Sequence, residues 1–368
     1  MGVARIRKLV LALVSAGLAL CLLELGLRAG SFAYPPVREP IILWDPAADA
    51  QLSETGGLHQ ASARQLWEPR PLAAVPWGSA QGERIAEDSR RGPARELDRA
   101  AGALRVVTLG DSTTFGMGVP WDDCYSAQLE ALLARPNRPA EVLDFGVIGF
   151  TVRQGLERWR ERAARWRPDV VVLAFGAFND HVAALDRTDD QRIADGVAAA
   201  TGLRGCMRTL RASSRVFHLA ARLVDGGGAS AERERTWQQV LEQRKQLDKK
   251  AGGTLFQGLR RVDPARFSEL LLTLVAEARA SGARVVLVSV ARRTDAERLH
   301  PVLMEYSRTV ERIAAEEGAA LVDARALFRA AGVTDAGVDA LFLPGDPLHP
   351  TRAGHAILAR ALAGAIEP

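Results

Sequence analysis

An alternation that begins at Leu104 and runs to the C-terminus constrains this chain more than any other feature. Short apolar runs at residues 104–109, 142–145, 170–175, 285–290 and 319–322 are separated by stretches whose apolar residues recur at helical spacing. The runs are too short for helices and rich in Val and Leu, so they read as strands. Residues 170–175 are apolar throughout, as a strand covered on both faces should be. Between the runs, Tyr125, Leu129 and Leu132 share a helical face, as do Leu156, Trp159, Ala163 and Trp166. The same holds for Phe267, Leu270, Leu271, Leu274, Val275 and Ala278, for Leu303, Tyr306, Val310 and Ile313, and for Ile357, Leu358, Ala361 and Leu362. Five strands interleaved with helices predict an α/β fold, a three-layer α/β/α sandwich around a five-stranded parallel sheet.

The remaining segments frame this body, residues 104–368. Arg5, Arg7 and Lys8 precede an apolar run over residues 9–23, which resumes past Glu24 as far as Arg28. A basic start and an apolar stretch of this size describe an export signal or a transmembrane anchor, with the basic flank held in the cytoplasm. We expect residues 1–33 to anchor the chain in a membrane and to place the rest outside the cytoplasm, in the periplasm or at the cell surface. In Ser31-Phe32-Ala33 the serine and the alanine are small residues at the spacing of a cleavage site, so the alternative is secretion after cleavage near Ala33. Residues 34–103 carry Pro35, Pro36, Pro40, Pro69, Pro71, Pro76 and Pro93 with no sustained period, and are expected to form a tether or to wrap the body.

From about residue 181 to 266 lies an insertion without strands. Residues 203–224 read as a basic amphipathic helix carrying Arg204, Arg208, Arg211, Arg215 and Arg222, and residues 231–250 as a highly charged one. The first is either a lid or membrane-surface element or a helical cap with a solvated arginine face. Net charge is +4 with arginine spread along the chain. Without a basic stripe, nucleic-acid binding is not expected. Three cysteines cannot make a disulfide framework; with Cys21 in the apolar run, only Cys124 and Cys206 are left to pair.

Ligands of an open parallel sheet bind past the carboxyl ends of its strands, so the residues just beyond each run are the candidates for chemistry. The first run ends in Gly110-Asp111-Ser112-Thr113-Thr114-Phe115-Gly116. A serine there can project its hydroxyl from the sheet edge, while the following helix aims N–H groups at developing negative charge. Asp111 and Ser112 are equally good helix N-caps. The last loop reads Asp346-Pro347-Leu348-His349-Pro350. An aspartate three residues before a histidine can take the Nδ1 proton and leave Nε2 as the base a serine hydroxyl needs, although a capping aspartate and a surface histidine have the same spacing. His355 falls within the final helix and reads as structural. In the loop after the second run Gly149 can offer a backbone N–H, and after the third Asn179 can offer its side-chain amide. His181, next to it, either enters the pocket or lies at the surface, and the surface is the expected place.

Serine, glycine, asparagine and an Asp/His pair in this chain order, each just past a strand, resemble the GDSL/SGNH hydrolases, whose flavodoxin-like fold carries four such blocks. The resemblance runs from about Arg105 to the C-terminus, apart from the insertion, and its most specific parts are residues 104–118 and 346–355. It implies a serine ester hydrolase with Ser112 as nucleophile and His349 as general base and acid, oriented by Asp346. It also implies an oxyanion hole made by the N–H groups of Ser112 and Gly149 and the Asn179 amide, and no metal or organic cofactor. The third block departs from the usual Gly-x-Asn-Asp, because Gly176 stands one residue further from Asn179. Such relatives act on O-acetylated sugars, acyl esters, thioesters and lipids. An extracytoplasmic location points to short acyl esters, such as O-acetyl groups on an envelope or secreted glycan. The same acyl-enzyme could instead pass its acyl group to a sugar hydroxyl, as an O-acyltransferase, and a glycan-binding module on an inactive scaffold is the non-enzymatic alternative.

Overall fold

The computed structural model describes residues 3–30, 32, 58–79, 82–176, 178–181, 187–202, 214–225 and 259–367. The chain forms two compact units, residues 1–40 with 197–246, and residues 41–196 with 247–368.

The larger unit is built on the five strands the apolar runs foretold: β3 (Leu104–Gly110), β4 (Ala140–Asp144), β5 (Val170–Ala174), β6 (Arg284–Ser289) and β7 (Ala320–Asp323), preceded by the antiparallel hairpin of β1 (His59–Ser62) and β2 (Leu66–Pro69). The five pair in parallel in the order β4-β3-β5-β6-β7. Alternate residues feed two separate apolar layers. Val107, Leu109, Val171, Leu173, Val285 and Leu287 face a layer filled by Leu156, Trp159, Phe267, Leu274, Val310 and Ile313. On the other face Val106, Val170, Val172, Val286 and Val288 pack with Tyr125, Leu129, Phe328, Leu358 and Leu362. Helices therefore cover both faces, in a three-layer α/β/α sandwich.

Local chemistry sets the helix ends. Asp263 accepts from the N–H groups of Ala265 and Arg266 and Pro264 opens the helix Pro264–Ala280. Gly318, at φ 60°, closes Leu303–Glu317 in the left-handed conformation that glycine tolerates. The stretch around Trp159 differs from a plain helix: Val152–Arg158 is α-helical, Trp159–Ala163 widens to a π turn and Ala164–Trp166 tightens to a 3-10 turn. Buried Trp166 has the guanidinium groups of Arg90 and Arg105 over its ring, at 5.3 and 5.1 Å.

Residues 58–79 and 82–103 are built into this unit. Leu58, Trp67, Ala73, Val75 and Ile85 join the first apolar layer. Fully buried Arg91 binds the carbonyls of Phe115, Gly116 and Val119 and pairs with Glu83. The hairpin has no counterpart in the sequence pattern because its strands are only four residues long. Within the insertion a helix spans Asp189–Ala200, and the basic amphipathic stretch is helical over Arg215–Asp225. Arg204, Arg208, Arg211, Cys206 and the charged stretch 231–250 lie outside the described residues. Cys124 is a buried free thiol that donates to the Pro120 carbonyl.

In the smaller unit, residues 5–23 of helix Val3–Ala29 are exposed, and over Arg5–Ala29, with mean hydropathy 2.3, the helix is long and apolar enough to cross a membrane. Its Glu24 carboxylate accepts from the backbone N–H groups of Arg215 and Val216 and from the Ser214 hydroxyl, and so caps the helix Arg215–Asp225.

Gly146, just past β4, has no room for a side chain: a Cβ there would stand 2.4 Å from the Phe115 backbone nitrogen. Gly146→Ala should therefore destabilise the protein by about 1–3 kcal/mol. In denaturant unfolding this appears as a lower midpoint with an unchanged slope.

Candidate active site

Ser112, Gly149 and Asn179 lie in the loops that follow β3, β4 and β5, while Asp346 and His349 lie in a loop beyond the helices Ala324–Gly332 and Asp335–Asp339 rather than just past β7. β3 stops at Gly110, where a Cβ would lie 2.0 Å from Thr114 Oγ1 and 2.7 Å from the Ala174 carbonyl. The chain turns there directly into the short helix Ser112–Phe115, capped by Asp111, whose Oδ1 accepts from the Thr113 N–H at 2.9 Å. The turn sets Ser112 at the carboxyl edge of the sheet with 8% of its surface exposed.

Ser112 Oγ lies 2.7 Å from His349 Nε2, and His349 Nδ1 lies 2.6 Å from Asp346 Oδ2. The other carboxylate oxygen, Oδ1, accepts from the N–H groups of Leu348 and His349 at 2.8 and 2.9 Å. The loop is tied at both ends, by Leu343 N–H to the His349 carbonyl and by Arg293 N–H to the Pro347 carbonyl. Burial pushes the Asp346 carboxyl up, but the His349 hydrogen bond and charge and the two N–H groups outweigh it and hold the carboxyl below its ordinary value. With the Nδ1 proton donated to Asp346, the Nε2 lone pair faces the serine hydroxyl, the arrangement of a base and its nucleophile.

The sheet order brings the other candidates to the same place. Leaving β3, the chain goes first to one side and later to the other, so the loops after β3 and β5 face each other at a switch point. There Asn179 Nδ2 donates to Asp111 Oδ2 at 3.2 Å. Gly149, in the loop after β4, has φ 77°. Among the described residues neither the Ser112 nor the Gly149 N–H has an acceptor. Ala177 lies outside the described residues; Gly176 before it sits at φ 88°, and its carbonyl accepts from Arg292.

Two carboxylates behind these loops, Asp111 and Asp180, have contacts that the sequence does not show. Asp111 reads as a cap by type, and the structure adds that it holds the Asn179 amide. Burial pushes its carboxyl up to about 6, against the pull of the Thr113 N–H and His349. Asp180 accepts from the Val152 N–H through Oδ1, and burial raises it to about 7. Pairings across 68 and 28 residues leave no trace in local spacing. His181 is not at the surface. It is buried among aromatic rings, 6.2 Å from that of Tyr306, and burial lowers it to about 3. His355 is buried too, its Nδ1 accepting from the Tyr125 N–H at the start of helix Tyr125–Leu133. Among the described residues no group of three or more His, Cys, Asp or Glu side chains is placed to hold a metal ion.

A doubly covered parallel sheet whose carboxyl edge brings serine, histidine and aspartate into contact places the molecule among α/β enzymes. The chain belongs to the GDSL-like lipase/acylhydrolase family, whose model matches residues 108–256 and 258–357, and it is a hydrolase acting on ester bonds. Among solved structures it is similar to Axe2, an acetylxylan esterase from Geobacillus stearothermophilus, at 20% identity over 72% of this chain and 94% of that one, with a TM-score of 0.44. It is also similar to a lipase/acylhydrolase from Enterococcus faecalis, at 18% identity over 72% and 95%, with a TM-score of 0.43. No curated protein matches the chain.

Asp180 gives this site a pH signature. Its carboxyl ionises near 3.8 in the unfolded chain and near 7 in the native protein. Between those values only the native state keeps the proton, so this group's contribution to stability falls as pH rises through the window. Asp180→Asn preserves the acceptor for the Val152 N–H and removes the titration. The melting-temperature difference, wild type minus variant, should decline as pH is raised from about 4 to about 7.

Proposed function

We propose that Ser112 is the nucleophile of this ester hydrolase, that His349 is its general base and acid, and that Asp346 holds the imidazole in the correct tautomer. The observation that carries the reading is the unbroken contact from Ser112 Oγ through His349 to Asp346, at 2.7 and 2.6 Å. Ser112 Oγ adds to the ester carbonyl as its proton passes to His349 Nε2. The tetrahedral intermediate expels the alcohol, protonated by His349, and leaves an acyl-enzyme. Water, deprotonated by the same nitrogen, then releases the acid and restores the serine. The unengaged N–H groups of Ser112 and Gly149 and the Asn179 amide are the donors assigned to the oxyanion. Asp111, holding that amide, fixes which way it faces.

The substrate in this reading is a short acyl ester. Ser112, Asn179 and His349 each expose only 8% of their surface, which suits a small acyl group better than a long chain. O-acetyl groups on an envelope or secreted glycan meet that description, and helix Val3–Ala29 would hold the enzyme at a membrane facing such material. The chain is read as an anchor over residues 1–33, a wrapping segment over 34–103 and a hydrolase domain over 104–368 with its insertion at about 181–266.

Ser112→Ala should abolish the fluorophosphonate adduct seen by intact mass and lower kcat by about 10⁴-fold or more with the fold unchanged. An adduct persisting in that variant would refute the assignment. Asn179→Ala should cost about 10²–10³ in kcat. A series of p-nitrophenyl esters should show activity falling as the acyl chain grows from acetate to octanoate, and a rise would overturn the short-acyl reading.

A further inference from the structure

The peptides on both sides of Gly149 are gripped by residues that belong to none of the four motif loops. We propose that Trp67 and Arg261 are positioning residues that set the direction of the Gly149 N–H; this rests on the oxyanion role proposed for Gly149.

The geometry is direct. In a planar trans peptide the carbonyl and the following N–H point in opposite directions. Buried Trp67 donates its indole N–H to the Ile148 carbonyl at 2.9 Å. That carbonyl shares a peptide with the Gly149 N–H, so the N–H is aimed away from the indole. The next peptide is held as well, because Arg261 Nη1 donates to the Gly149 carbonyl at 2.7 Å. With both flanking peptides fixed, the left-handed conformation of Gly149 at φ 77° has no freedom to swing.

The two clamps also support each other. The Arg261 guanidinium lies 5.3 Å from the centre of the Trp67 ring, and that ring meets Phe150 edge-on at 6.0 Å. Asp189 takes Arg261 in a two-pronged pair at 3.0 and 2.8 Å, and Gln154 accepts from its Nη2 at 2.6 Å. Asp189 also accepts the Thr151 hydroxyl at 2.7 Å. Trp67 comes from β2, while Asp189 and Arg261 come from the two ends of the insertion. The hairpin and the base of the insertion thus act on the site through one glycine.

The test uses the full chain and two conservative variants. Trp67→Phe keeps an aromatic ring and removes the indole donor, and Arg261→Lys keeps the charge and removes the fork that spans Asp189, Gln154 and the Gly149 carbonyl. An oxyanion donor removed outright costs about 10²–10³ in kcat, so a misdirected one should cost roughly 10–100-fold, with KM within about twofold of wild type. The rate of fluorophosphonate labelling should fall in parallel. Arg105→Gln is the control. Arg105 is a buried arginine near the start of β3, paired with Glu141, and its loss lowers stability away from the site; it should leave kcat per folded molecule unchanged. Wild-type kcat in either folded clamp variant would overturn the proposal. So would an equal loss of kcat in Arg105→Gln at a matched drop in melting temperature, since the effect would then be general loosening. Absence of a Ser112-dependent adduct in the wild-type chain would instead overturn the underlying catalytic reading.

Discussion

The site depends on how closely backbone approaches backbone at the carboxyl edge of β3. Gly110 and Gly146 are points where a single extra carbon would collide, one with the Thr114 side chain and the Ala174 carbonyl, the other with the Phe115 nitrogen and Thr114. Because neither carries a side chain, the turn after β3 can seat itself between the ends of β4 and β5. Serine then emerges from the sheet edge facing both neighbouring loops. A Cβ at either glycine would push the turn outward, and the 2.7 Å contact between Ser112 and His349 would lengthen with it.

The same closeness explains the buried arginines. Tight loops at a strand edge leave carbonyls that no sheet partner can reach, and a buried carbonyl without a donor is costly. Arg91 serves Phe115, Gly116 and Val119, Arg261 serves Gly149, and Arg292 serves Gly176 and Leu303. A guanidinium suits this work because its fork reaches several acceptors at once and it stays charged when buried. Arg91 and Arg261 keep a carboxylate partner, Glu83 and Asp189 respectively, which offsets much of the cost of burying the charge.

This division decides what was legible in the sequence. The five parallel strands could be read because each is a contiguous apolar run, and the helices on either face because their stripes recur at helical spacing. Ser112, Gly149 and Asn179 could be read because each sits in the loop that follows such a run. Asp346 and His349, expected just past the last strand, are separated from β7 by the helices Ala324–Gly332 and Asp335–Asp339 and could be read only from their own spacing. What could not be read depends on partners distant in sequence. Trp67 finds the Ile148 carbonyl 81 residues on, Asn179 finds Asp111 68 residues back, and Arg261 finds Gly149 112 residues back. The hairpin of β1 and β2 was missed for a related reason. Four-residue strands carry too little pattern to register, and their order comes from packing Trp67 into a core laid down by later sequence. His181 was misplaced because a histidine beside a loop motif looks solvent-exposed until the rings of Tyr306 and His300 close over it.

The carboxyls at this edge are shifted by their environments in opposite directions, and the shifts bear on the proposed chemistry. Asp346 is held below its ordinary value, so it is fully ionised at neutral pH, on the Nδ1 side of the imidazole. Its charge can stabilise an imidazolium without standing next to the reacting carbonyl. Asp111 is adjacent to Ser112 in the chain and holds the Asn179 amide, so a full charge there would oppose negative charge developing on the substrate oxygen. Burial works against that charge: it raises Asp111 to about 6, where the carboxyl is still mostly ionised at neutral pH, and Asp180, one residue from Asn179, to about 7. Both still accept a backbone N–H through one oxygen, so their structural work does not require full ionisation. Hydrogen bonds thus secure the charge behind the histidine, where the proposed acyl transfer uses it, while burial disfavours charge beside the proposed oxyanion donors.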